Sequence, residues 1–210
     1  MITLLILLAE KGLLPDAIIR LGIRRLCRQR LVDASNTNEV LMEQEHAAWI
    51  DVLKESPIAL VPEKANEQHY EVPPRLFELV LGDRLKYSSG LWPEGVSSLD
   101  ESEVAMLKLT TDRAGLVDGQ DVLELGCGWG SLTLYMAECF PKSKITAVSN
   151  SNDQRQFIEA RCEERNLKNV EIITADMNDF DTTKLFDRVI SIEMFEHMRN
   201  YEKLLGRVGT

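Results

Sequence analysis

Three side chains near the end of the chain are suited to handling a cation and its proton. They are Glu193, Glu196 and His197, in the run Glu193-Met194-Phe195-Glu196-His197. A carboxylate can hold an ammonium group, and an imidazole, whose charge changes near neutral pH, can take its proton. A second stretch offers a place to bind rather than a reactive group. Val122-Leu123-Glu124-Leu125, largely apolar, runs into Gly126-Cys127-Gly128-Trp129-Gly130, with glycines at alternate positions. A helical apolar pattern follows through Leu132, Leu134, Met136 and Ala137. Strand, glycine turn and helix bring backbone N–H groups up to a ligand with no Cβ in the way. A dinucleotide fingerprint would need its third glycine at position 131, which is Ser131, so nicotinamide chemistry is disfavoured. A glycine turn that binds nothing is the bland alternative.

The elements around these residues read as an α/β alternation. Lys144–Ser149, Val170–Thr174 and Phe186–Ile192 are expected as the second, third and fourth strands. Open parallel sheets bind ligands at their carboxyl edge, where neighbouring strands leave in opposite directions. The first and fourth strands would flank that point, so residues 193–197 would arrive beside the glycine turn. Ser98-x-x-Glu101 is a capping box opening a helix toward Gly115, and Asp118-Gly119 turns into the first strand. Ser151-x-x-Gln154 caps the helix after the second strand, with Gln154 as the capping-box partner.

Ahead of this lies a helical segment, taken as residues 1–66, with the ligand-binding domain as 67–210. The apolar start Met1–Ala9 is too short to span a bilayer and is expected as a buried helix start. A helix from Asp16 to about Leu31 places Arg20, Arg24, Arg25 and Arg28 on one face and Ile18, Ile19, Ile23 and Leu26 on the other. Such a helix can rest on an anionic membrane or line a substrate entrance, or it is a solvated arginine face. A further helix over about 38–55 offers Val40, Leu41, His46, Trp49, Ile50 and Leu53 as core candidates, and Pro57 and Pro62 mark a linker. The 210 residues carry a net charge of -10, which argues against a nucleic-acid partner. Cys27, Cys127, Cys139 and Cys162 lack metal-site spacing, and a reducing, cytoplasmic setting is expected with no metal.

Glu124-x-Gly126-x-Gly128-x-Gly130 resembles the first motif of S-adenosylmethionine-dependent methyltransferases. The block 68–92 is similar to the segment ahead of that fold in the cyclopropane-fatty-acyl-phospholipid synthase family, which includes the coclaurine N-methyltransferase-like enzymes. His69-Tyr70-Glu71-Val72 matches one element, and Tyr87-Ser88 matches a Tyr-Ser-Cys element that closes over the cofactor. Ser89 departs from it. The resemblance implies a Rossmann-like class I methyltransferase sheet with S-adenosylmethionine as cofactor. On it, Gly126 and Gly128 lie by the methionine end and Ile192 is a further cofactor contact. Ser149-Asn150 stands where many methyltransferases place an acid for the ribose and the cyclopropane synthase relatives commonly have a neutral pair. Gln154 would lie beside the cofactor, with pure capping left open. Asp176 would accept from the adenine amino group, with Met177 against the ring.

In coclaurine N-methyltransferase-like enzymes a Glu-x-x-x-His pair is implicated in amine deprotonation, and Glu193 with His197 matches it. Cyclopropane synthases usually carry glycine where this chain has Glu193. A small amine is therefore the favoured substrate, an unsaturated lipid the alternative, and an inactive cofactor-binding remnant the third reading. Glu196 could instead serve a loop N–H, and His197 could cap the next helix. The family sheet is ordered 3-2-1-4-5-7-6, so strands five to seven are expected to be missing. The chain then reads as a fragment whose fourth strand is an open edge.

Overall fold

The computed structural model describes residues 2–35, 39–60 and 73–209. The His69–Val72 element and the linker beyond Pro62 lie outside the described residues. The chain divides into two compact units, one up to Val52 and one from Leu53 onward. The first holds α1 (Ile2–Glu10), α2 (Asp16–Ala34) and most of α3 (Glu39–Glu55).

Two expectations fail in that unit. Leu5, Ile6 and Leu7 are about half exposed, so the apolar start is not a buried one. Val40, Leu41, His46, Trp49 and Ile50 are exposed as well, and Leu53 is half-buried. α2 has no buried residue. An apolar helix face is buried only where a second layer covers it, and apolar periodicity alone does not supply that layer. No helix of the described residues is long and apolar enough to cross a membrane.

The second unit is built on one parallel sheet. After α4 (Pro74–Val80) and α5 (Leu99–Arg113) come β1 (Asp121–Leu125), α6 (Ser131–Cys139), β2 (Lys144–Ser149), α7 (Asn152–Glu164), β3 (Val170–Thr174) and β4 (Arg188–Ser191). A 3₁₀ turn (Phe195–His197) and α8 (Tyr201–Val208) follow. The strand order is β3-β2-β1-β4, as expected, with Leu125 in register with Val148 and Ser191. β1 and β2 are buried nearly throughout, as strands covered on both faces are.

Alternation along β1 sorts its side chains between the two layers. Leu123 and Leu125 pack with Val148, Met177, Met194 and Leu204. Val122 packs with Ile145, Ile190, Leu107, Leu132 and Met136. The Ser98–Glu101 capping box forms at the start of α5. Among the described residues β4 pairs with β1 alone and is an edge strand.

Candidate functional site

The turn after β1 holds three glycines with left-handed backbone, each doing a different job. A Cβ on Gly126 (φ +79°) would stand 2.8 Å from Met194 Cβ, and one on Gly130 (φ +82°) would stand 2.7 Å from Ile158. Those two glycines let β4 and α7 close on the turn. Gly128 (φ +53°) differs, because a Cβ there would meet nothing within 4 Å. It faces open space. Gly128→Ala is expected to leave a folded protein, costing about 1–2 kcal/mol for the left-handed backbone, while its methyl fills ligand space. Gly126→Ala carries the same backbone cost plus the collision with Met194, so its thermal midpoint should fall well below that of Gly128→Ala.

That open space belongs to a cavity of about 520 Å³, within the range of roughly 300–1,000 Å³ usual for small-molecule sites. Tyr87, Ser88, Gly126, Gly128, Ser149, Asn150, Gln154, Asp176, Met177 and Ile192 all line it. So do Glu193, Glu196 and His197. The cofactor and proton-handling candidates named from the sequence therefore line one cavity.

The strand ends explain how. β4 delivers Glu193 at φ +56°, a left-handed conformation that a side chain rarely adopts. The chain then turns, and the 3₁₀ turn presents Glu196 and His197, both exposed. Asn200, not His197, caps α8, its Oδ1 accepting from the Lys203 N–H at 3.0 Å. Glu196 accepts no loop N–H among the described residues.

At the end of β2 one expectation needs correcting. The Ser151 Oγ does accept from the Gln154 N–H, but the Gln154 side chain does not return to the Ser151 amide. Instead Ser149 Oγ accepts the Ser151 N–H at 3.0 Å and donates to Gln154 Oε1 at 2.6 Å. Both side chains are buried, and the strand-end serine offers the closer partner. Beyond β3, Asp176 Oδ1 accepts the Asn178 N–H at 2.7 Å. Met177 is buried beside it.

Beneath the glycine turn lies Glu124, 3% exposed, whose Oε2 accepts from Thr133 Oγ1 at 2.6 Å. Burial pushes its carboxyl up to about 7, and the Thr133 hydroxyl and Lys86 ammonium pull it back less. Unfolded, that carboxyl titrates near its ordinary 4.5. Between these values the folded protein holds one proton more than the unfolded chain, so stability falls as pH rises from about 4.5 to 7. Urea midpoints across that window should show a loss on the order of 3 kcal/mol that Glu124→Gln removes.

Sequence reading missed four residues. Glu103, 1% exposed on α5, accepts three backbone N–H groups: Gly82 at 2.9 Å, Arg84 at 3.0 Å and Lys86 at 3.3 Å. It pins the segment that leads into Tyr87 and Ser88. Lys86 lines the cavity and is buried, with Nζ donating to Ser88 Oγ. Glu124 enters the sequence motif only through its spacing, whereas in the structure it is a buried acid. Trp129 sits in a row of aromatic rings, tilted against Phe77 at 5.5 Å and edge-on to Phe157 at 5.3 Å, while Phe77 meets Tyr87 edge-on at 5.2 Å. Trp129 Nε1 and Ser131 Oγ, on two residues of the cavity wall, are buried with no hydrogen-bond partner among the described residues. Such orphans call for a partner from outside the chain.

Residues 61–208 match the family model for mycolic acid cyclopropane synthetase. The chain belongs to that family. (S)-Coclaurine N-methyltransferase of Thalictrum flavum subsp. glaucum is 39% identical over 202 residues, which is 95% of this chain and 55% of the relative. Cyclopropane-fatty-acyl-phospholipid synthase of Escherichia coli K12 is 33% identical over 138 residues, 65% of this chain and 34% of the relative. A crystal structure of coclaurine N-methyltransferase bound to N-methylheliamine and SAH superposes with a TM-score of 0.87 at 38% identity. It covers 99% of this chain and 60% of that one. A mycolic acid cyclopropane synthase complexed with SAH and CTAB gives a TM-score of 0.56 at 27% identity, covering 62% and 45%. The chain spans about half the length of the curated relatives it matches.

Proposed function

We propose that this chain forms the cofactor-binding and proton-handling part of an S-adenosylmethionine-dependent methyltransferase acting on a small amine. The cavity fits that cofactor on its own terms. Gly128 leaves room where a Cβ would intrude, and Trp129 Nε1 and Ser131 Oγ await partners. Gly126, Gly128 and Ile192 would hold the amino-acid end, with Tyr87 and Ser88 over it. Ser149, Asn150 and Gln154 would hold the ribose, and Asp176 and Met177 the adenine. Bound S-adenosylmethionine supplies a methyl group already activated by its sulfonium.

The chain's own work is to hold an amine in line, exclude water and remove a proton. An ammonium has no lone pair with which to attack, so it must first be deprotonated. The Glu193 carboxylate holds the cation, a ring nitrogen of His197 takes its proton, and Glu196 offers charge to the resulting imidazolium. The observation carrying this reading is Glu193 on the cavity wall that also holds the glycine turn and His197. A carboxylate there suits a cation better than an alkene. The relatives that are N-methyltransferases support the same choice, and the relationship to cyclopropane synthases supports methylene transfer to an unsaturated lipid as the second reading. A reducing, cytosolic compartment suits a chain whose four cysteines all stand as free thiols.

Calorimetry with S-adenosylmethionine, followed by label transfer from the methyl-labelled compound to an amine panel and to unsaturated phospholipid, tests the proposal. Saturable binding with label in amines is expected. Label in lipid alone would replace amine methylation by the second reading, and binding without transfer would leave a cofactor-binding remnant.

A further inference from the structure

Lys86 is a buried cation that the proton chemistry leaves unused. It is 7% exposed, lines the cavity, and its Nζ donates to Ser88 Oγ at 2.5 Å. Among the described residues that oxygen is its one direct acceptor. An ammonium carries three donors, so two remain. Carboxylates act on it at longer range: Glu193 after β4, Glu103 on α5 and Glu124 on β1. Burial lowers the ammonium's pKa, and those three acids oppose the shift. Burying a cation without a contact partner is unfavourable, and a cavity wall is where a ligand can supply that partner.

The surrounding charge has a specific pattern. One ammonium with donors to spare shares the cavity lining with two acids, Glu124 and Glu193. That alternation is the complement of a zwitterion carrying a carboxylate and an ammonium on one carbon. We infer that Lys86, with Ser88 Oγ, binds the carboxylate of the amino-acid end of S-adenosylmethionine. This rests on the cofactor reading above and adds the anion site it lacked. Lys86 thereby discriminates the cofactor from adenosyl compounds without that carboxylate.

The test compares S-adenosylmethionine with its decarboxylated form by calorimetry, in the unaltered chain and in Lys86→Met. The unaltered chain should prefer the carboxylated compound by roughly 10- to 100-fold, the value of a charge-assisted hydrogen-bonded contact. Lys86→Met should abolish that preference and leave the decarboxylated compound's affinity unchanged, and Lys86→Arg should restore much of it. Equal weakening of both compounds would show that Lys86 merely holds the Ser88 segment, and would overturn the inference. So would a preference that survives in Lys86→Met. If the unaltered chain binds neither compound, the cofactor reading itself falls and takes this site with it. If it binds both alike, the inference alone fails. Thermal melts check each variant, and Lys86→Gln replaces Lys86→Met should the latter not fold.

Discussion

Glu103→Ala is expected to lower the unfolding free energy by about 3–5 kcal/mol, the range for removing one side of a buried charged network. The side chain is 1% exposed, yet it accepts from three amides of the segment that ends at Lys86. Its loss leaves three donors without an acceptor, each worth about 1–3 kcal/mol when buried, and water recovers part of that. Glu103→Gln keeps one acceptor oxygen and turns an NH₂ group toward the remaining amides, so an intermediate loss is expected. Urea unfolding measures both. Cofactor affinity should fall in step, although Glu103 is not among the cavity-lining residues, because the segment it pins carries Tyr87 and Ser88. A variant that unfolds like the parent but binds poorly would place Glu103 in the binding site instead.

Glu193 should show stability and activity moving in opposite directions. Its backbone sits at φ +56°, a conformation costing a non-glycine residue about 1–2 kcal/mol. Glu193→Gly is therefore expected to raise stability by about 1 kcal/mol, even though it removes a side chain from the cavity wall. Amine transfer, on the reading proposed above, should fall by about 10²-fold, the usual effect of losing a contact that positions the substrate. Glu193→Gln keeps the strain and the shape but not the charge, so it should lose transfer at unchanged stability. A native residue held in strain at a cavity wall is what a functional demand on that side chain produces. If Glu193→Gly neither stabilises nor slows transfer, both the strain and the role are disproved.

Much of the fold was legible because its determinants are local. β2 and β3 begin and end where their apolar runs do, and the Ser98 cap was visible in a four-residue pattern. The cavity wall was legible for a related reason: in a parallel sheet the strand ends and the first residues beyond them meet at one edge. Glu103 and Lys86 were not. Each sits in a stretch with polar neighbours, and only long-range packing decides that these two side chains are buried. Gln154 misled because the serine that captures its carbonyl lies five residues upstream, outside the capping pattern. The helices before Val52 show the opposite limit. Apolar periodicity identifies which side chains need cover, but not whether the described residues provide it.

The ring row through Trp129 also gives the molecule its own optical reporter. Of its three indoles, Trp49 and Trp92 are about half exposed, whereas Trp129 is 5% exposed, on the cavity wall. Two should emit at long wavelength and yield to iodide, and the third should emit in the blue and resist it. Ligand entering beside that shielded indole should change the blue component alone, so occupancy can be titrated by fluorescence without any label.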